Sequence, residues 1–158
     1  TFYKSIKQLP DFLDYSMKNR TYRYFMDEPL FAFGYGLSYT DFLFGDATIN
    51  TDSIGYGESA LLTIPVTNIG KYNGEETVQI YVHKKGDTEG PLKTLRNYKK
   101  VMIQKGKTED VKIELSYEAF EWFDETTNTM RPLPGEYEIF YGKSSNRKDL
   151  KCMSIWVK

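Results

Sequence analysis

At 158 residues the chain is long enough for one domain that buries roughly 68–70% of its unfolded surface, plus an appendage, with little left for a second core. Charged residues make up 27% and the formal net charge is −1, so electrostatics favours neither nucleic acid nor an anionic membrane as partner. The one cysteine, Cys152, excludes an internal disulfide and a cysteine-based zinc cluster, and no run of about 18 apolar residues is present to span a bilayer.

The opening residues, TFYKSIKQLP, have neither a charged n-region nor an apolar h-region, and the abrupt start reads as that of a fragment of a longer chain. From Thr1 to Glu28 no helical or strand period persists beyond a few residues. Tyr3, Phe12, Leu13, Tyr15, Tyr22, Tyr24 and Phe25 nevertheless give this stretch a large apolar load, so it is expected to pack on another surface and not to fold alone. Pro29 to Phe42, PLFAFGYGLSYTDF, follows as a junction. Pro29 stops a helix, Gly34 and Gly36 permit positive φ or close backbone approach, and five aromatic rings in fourteen residues supply the anchoring.

After the junction the pattern changes to short alternating runs. Phe42 to Asn50 and Leu61 to Thr67, with Leu62, Ile64 and Val66 on one face, read as strands separated by a turn over Thr51 to Gly57. Asn68 to Gly74 is too long for a two-residue hairpin and is expected to cross between two sheets. Thr77 to Lys84 places Val78, Ile80 and Val82 on one face and Gln79, Tyr81 and His83 on the other, polar one. Arg96 to Gln104 is a further strand, and Lys105-Gly106 turns the chain into Thr108 to Leu115, where Val111, Ile113 and Leu115 alternate with charge. Ser116 to Trp122 is expected to form one helical turn, capped by Ser116, that lays Ala119 and Phe120 over the core. Tyr137 to Tyr141 and Met153, Ile155 and Val157 supply the last strands. Leu133-Pro134-Gly135-Glu136-Tyr137 predicts a tyrosine corner. About seven short strands with turns every eight to twelve residues predict an all-β, immunoglobulin-like β-sandwich with an irregular N-terminal leader.

The junction, preceded by Arg20-Thr21-Tyr22-Arg23-Tyr24-Phe25, resembles the C-terminal region of family 3 glycoside hydrolases, most of all their β-xylosidases, with β-glucosidases beside them. VTNIGKYNGEETVQIYV, LKTLRNYKKVMIQKG and PGEYEIFYG carry the resemblance onward. It implies a fibronectin type III-like sandwich over residues 42–158 and, over residues 1–41, a linker that is the tail of a missing catalytic α/β sandwich domain. Ala32 stands where such sequences often have proline. The resemblance further implies that the catalytic carboxylates lie upstream, that the chain's role is to buttress those upstream domains of the same polypeptide in polysaccharide breakdown, and that the parent enzyme is periplasmic or extracellular. Arg20, Tyr22, Arg23, Tyr24, Phe31, Phe33, Tyr35 and Tyr39 are then the expected interdomain contacts.

The residues themselves offer no catalytic set. Asp11 with Asp14, Glu75 with Glu76, and Asp124 with Glu125 fall in polar loops or strand starts, where burial does not raise a carboxyl's pKa as a glycosidase acid requires. His83 is the one histidine and is expected exposed on a strand, and no metal-ligand or phosphate-loop spacing occurs, so no cofactor or metal is expected. Asn19-Arg20-Thr21 is a glycosylation sequon of low specificity. Aromatic residues reach 16%, with 13 tyrosines, and two readings compete for them: core and contact filling, or platforms for sugar rings, in which case Trp122 and Trp156 are the pair to stack on polysaccharide. A carbohydrate-binding module and an independent adhesion or interaction domain are therefore the alternative functions, the latter because the fold hosts many.

Overall fold

Apolar alternation becomes eleven strands in the computed structural model, which describes residues 2–158. They are β1 (Phe42–Phe44), β2 (Thr48–Ile49), β3 (Ser53–Ile54), β4 (Ser59–Asn68), β5 (Gly74–Lys84), β6 (Thr94–Ile103), β7 (Thr108–Ser116), β8 (Glu121–Asp124), β9 (Thr129–Pro132), β10 (Gly135–Gly142) and β11 (Leu150–Val157). One sheet has β4 at its centre, with β7 along one side and β1 and β2 in succession along the other. The second sheet has the order β3-β11-β10-β5-β6, all antiparallel except the β3–β11 pair.

The inner faces meet in a single core. Leu62, Ile64, Val66, Val111, Ile113 and Leu115 come from one sheet, and Val78, Ile80, Val82, Tyr137, Ile139, Tyr141, Ile155 and Val157 from the other; each is 3% exposed or less. Each such Val, Leu or Ile contributes about 1.5–3 kcal/mol relative to an exposed side chain. The chain crosses between sheets after β4 and again after β6, so the Lys105-Gly106 turn joins strands of different sheets. Buried Asn68 ties both crossings together: its Nδ2 donates to the carbonyls of Tyr72 (2.8 Å) and Ile103 (2.9 Å), and its Oδ1 accepts from Thr40 Oγ1 (2.7 Å) and Gly70 N (3.1 Å).

The expected Phe42 to Asn50 strand is broken at Gly45 to Ala47, and the cause lies on its neighbour. In an antiparallel ladder a residue's N–H and C=O face the same partner. Pro65 of β4 accepts from Gly45 N (2.8 Å) but has no N–H to return. Ala47 N turns instead to Tyr141 Oη (2.9 Å).

The segment after β7 also differs from expectation. A 3-10 turn spans Tyr117–Phe120, Ser116 precedes it without a side-chain cap, and Phe120 is fully buried with its ring edge-to-face on Tyr137 at 5.4 Å. The chain then leaves the turn at once into the β8–β9 hairpin, whose closing loop is organised by Asp124. Tyr137 Oη donates to Leu133 O at 2.9 Å, the expected tyrosine corner. Burial pushes this phenol up to about 12.

Candidate functional site

The aromatic leader lies across the outer face of the five-stranded sheet. Among its described residues the regular pieces are a 3-10 turn at Ile6–Gln8, capped by Ser5 Oγ, and one turn of helix, α1 (Thr21–Tyr24). Asn19 and Thr21 take left-handed φ values of 57° and 53°; for a β-branched threonine this conformation is a strained one that its surroundings must hold. The fold around α1 does so through tertiary contacts. Leu92 N donates to Arg23 O (2.7 Å), and Leu95 N donates to Tyr22 Oη (3.0 Å).

Tyr22 stacks on Phe33 at 4.3 Å and meets Tyr81 edge-on at 5.8 Å. Beneath them Tyr81 has no exposed surface, and burial drives its phenol well above the ordinary range. Tyr81 Oη donates to Gln79 Oε1 (2.6 Å), whose amide in turn donates to the carbonyls of Gly34 (3.1 Å) and Lys143 (2.6 Å). Gly34 has φ +78°, and a Cβ there would come within 2.0 Å of Gln79 Oε1, so this approach needs glycine. Gly36 has open space around it and imposes no such demand.

The face of β5 that reads as polar is thus covered. Gln79 and Tyr81 are buried beneath the leader, and His83, expected exposed, is half-buried. Its ring meets Trp122 edge-to-face at 5.7 Å and its Nδ1 lies 3.0 Å from Pro91 O. The alternation of β5 misleads here because a partner without periodicity of its own leaves no trace in the strand that it covers.

The expected contact residues divide into two groups. Tyr22, Arg23, Tyr24 and Phe33 come together at the sheet, while Arg20 turns inward on its own loop, donating to the carbonyls of Ser16 (2.9 Å) and Asp14. Phe31 and Tyr35, 5.2 Å apart, are half-exposed, and Phe31 also meets Phe2 edge-on at 6.2 Å. Tyr39 is 97% exposed, and with it stand Phe12 (89%), Tyr15 (88%) and Leu37 (89%). Leu37 is not among the expected contacts, although it lies in the same junction motif as Tyr39.

The two tryptophans lie in different settings, Trp122 in the β8–β9 hairpin between His83 and Tyr137 and Trp156 on β11 of the second sheet. Trp122 is 4% exposed and belongs to the core cluster; its indole N–H donates to Asp87. Trp156 is 52% exposed on the outer face, between inward-facing Ile155 and Val157. They form no shared platform.

The carboxylates differ from one another more than their sequence settings suggest. Asp124, expected solvated, is 7% exposed and accepts from Thr127 Oγ1, Arg131 Nε and Thr126 N, with the Thr127 bond the largest cause of a carboxyl held down at about 2. Burial raises the Glu76 carboxyl instead, opposed first by the hydrogen bond from Thr77 N and then by the Lys143 charge. Glu75 is paired to Lys100. Glu114 and Glu118 share an open cleft of about 480 Å³ with Arg96 and Asn97, but hydrogen bonds from its own backbone N–H and from Ser116 lower Glu118, the opposite of what a proton donor to a leaving group needs.

Comparison with known proteins places this geometry. Residues 76–145 match the fibronectin type III-like domain. Over 98% of its length the chain is 52% identical to a xylan 1,4-β-xylosidase of Xylanibacter ruminicola, of which it spans 18%. Over 94% of its length it is 35% identical to a β-xylosidase of Formosa agariphila, of which it spans 20%. A periplasmic β-glucosidase of Salmonella typhimurium is 28% identical over 93% of the chain, which spans 21% of it. Among solved structures, a β-glucosidase from Erythrobacter marinus superimposes on all of the chain and 21% of its own, with TM-score 0.79 and 30% identity. The chain therefore spans about a fifth of the length of these relatives.

Proposed function

The chain carries the C-terminal fibronectin type III-like region of family 3 glycoside hydrolases of the β-xylosidase and β-glucosidase type, and from that premise we propose that it is a non-catalytic accessory domain. It buttresses the catalytic domains of the same polypeptide, which hydrolyse terminal β-linked xylose or glucose during plant polysaccharide breakdown in the periplasm or outside the cell. Residues 42–158 form the accessory sandwich and residues 1–41 the tail of the catalytic domain that it supports. One observation carries the reading: Phe12, Tyr15, Leu37 and Tyr39 each stay at least 88% exposed while Tyr22, Arg23 and Phe33 of the same leader are fastened at the sheet. Large apolar side chains left this exposed along one segment are suited to a surface that another body covers. The periplasmic relative supports the compartment, and the xylosidase relatives support xylose over glucose.

A chimera tests the proposal. The matching stretch of the Xylanibacter ruminicola xylosidase is deleted, or replaced by this chain. Deletion is expected to lower its melting temperature and chromogenic β-xyloside turnover, and replacement to restore both. A deleted enzyme as stable and active as the parent overturns the buttress role. In parallel, the isolated chain is expected to be neither depleted by insoluble xylan nor active on the chromogen.

A further inference from the structure

Between α1 and the β8–β9 hairpin lies a cleft of about 230 Å³. Among the described residues three buried side-chain nitrogen or oxygen atoms lack a hydrogen-bond partner, Arg23 Nε, Thr94 Oγ1 and Arg96 Nε, and all three belong to residues lining this cleft. Buried polar groups are nearly always paired, so three orphans gathered in one place mark a missing partner. Neither arginine forms a salt bridge with a described residue. The guanidinium of Arg96 donates through Nη2 to Glu121 O, and that of Arg23 lies 5.7 Å from the centre of the Tyr24 ring. Burial, and after it the Arg23 charge, holds Arg96 below the usual arginine range, while the Glu121 charge works against both. Among the described residues Glu121 is the one carboxylate in the lining, which leaves an excess of positive charge.

We propose that this cleft is a binding site for a carboxylate-bearing sugar unit, its carboxylate held by Arg23 and Arg96 and a ring hydroxyl by Thr94. Planar guanidinium forks match a carboxylate in geometry as well as charge. The volume argues for a ring: at ~30 Å³ for each water of the liquid, a bare carboxylate would leave most of the space unfilled. Tyr24, Phe123 and Met130 complete the lining with apolar surface suited to the C–H face of a sugar. Trp122 is part of the wall, with its indole N–H already committed to Asp87. This inference goes beyond the buttress reading and does not depend on it.

The test is a titration of the isotopically labelled chain with D-glucuronate, D-glucose and acetate, followed through the amide resonances of Leu95 and Arg96 and the Trp122 indole. Glucuronate is expected to shift them saturably, glucose to leave them in place, and acetate to need at least about tenfold higher concentration. Arg23→Gln is expected to weaken glucuronate binding about tenfold without altering the melting temperature, since the tertiary hydrogen bond at Arg23 is made by its backbone carbonyl. Met130→Ser, on the exposed rim, is expected to weaken glucuronate and leave acetate unchanged. Equal shifts from glucose and glucuronate, equal affinity for acetate and glucuronate, or full binding by Arg23→Gln would each overturn the proposal.

Discussion

The ring of Tyr22 meets that of Tyr81 edge-on, with centroids 5.8 Å apart, and closes the outer face of the second sheet over a side chain with no remaining exposure. This contact makes the leader part of the fold and not a loose tether. Truncation by Tyr22→Ala removes it together with the Phe33 stack and the acceptor for Leu95 N. The expected cost is about 2–4 kcal/mol, below the full range for a completely buried ring because Tyr22 is half-buried. Tyr22→Phe, which keeps the rings, should cost about 1 kcal/mol. Urea unfolding gives both numbers, and limited trypsinolysis after Arg20 or Arg23 should accelerate in the alanine variant. An unchanged midpoint for Tyr22→Ala would detach the leader from the domain's stability.

Asn68 supports the fold by a different means, as a polar node shared by the two crossings that follow β4 and β6. Replacement by alanine strands the Thr40 hydroxyl and the Ile103 carbonyl in a buried site, and Gly70 N and the Tyr72 carbonyl in a partly buried one. Unsatisfied buried groups cost about 1–3 kcal/mol each, with partial relaxation, so a loss of at least about 3 kcal/mol is expected. Asn68→Asp should do no better: it keeps the acceptor, loses the two donated bonds and buries a charge. A lowered midpoint at constant urea m-value is the signature; a shift under about 1 kcal/mol would contradict the node.

Residues that alternate strictly are legible in the sequence alone. Leu62, Ile64 and Val66, then Val78, Ile80 and Val82, then Val111, Ile113 and Leu115, are the core, because a face buried against a second sheet leaves a period of two in its own strand. Illegible elements owe their form to something distant. β3 is two residues long and pairs in parallel with β11, which lies near the other end of the chain. The break between β1 and β2 is imposed by Pro65 on another strand. Trp122, which reads as the end of a helical turn, sits in a four-residue strand whose hairpin is set by Asp124 side-chain bonds and not by a recognisable turn dipeptide. At the candidate site the aromatic leader is readable, but its division into a fastened part around Tyr22 and an open part around Tyr39 is not. The cleft joins Arg23 of the leader to Arg96 of β6, residues so far apart in the chain that no local signal connects them.

Asp124 predicts a pH dependence. Its carboxyl titrates at about 2 in the fold and near 3.9 in an unfolded chain. A carboxyl with a lower folded than unfolded value stabilises fully above about pH 4 and loses that contribution as pH falls toward 2. Thermal melts of the native chain and Asp124→Asn should therefore differ most above pH 4 and converge toward pH 2. Arg131→Met should shrink the gap, since Arg131 Nε donates to the same carboxylate at 2.6 Å. A gap of constant size from pH 2 to 7 would show that the Asp124 charge is not what organises the hairpin.

The tryptophans provide the readout that separates packing from sugar stacking. Trp122 at 4% exposure and Trp156 at 52% should appear as one blue-shifted emitter shielded from iodide and one red-shifted emitter that iodide quenches. Trp122→Ala is expected to cost about 3–5 kcal/mol, because it opens a cavity beside Tyr137 and leaves Asp87 without the indole donor. Trp156→Ala, on the outer face of β11, should stay within about 0.5–1 kcal/mol of the native chain. If polysaccharide stacked on the outer sheet face, xylan would protect Trp156 from iodide and Trp156→Ala would abolish that protection. Packing alone predicts no protection in either protein, and iodide quenching with and without soluble xylan separates the two.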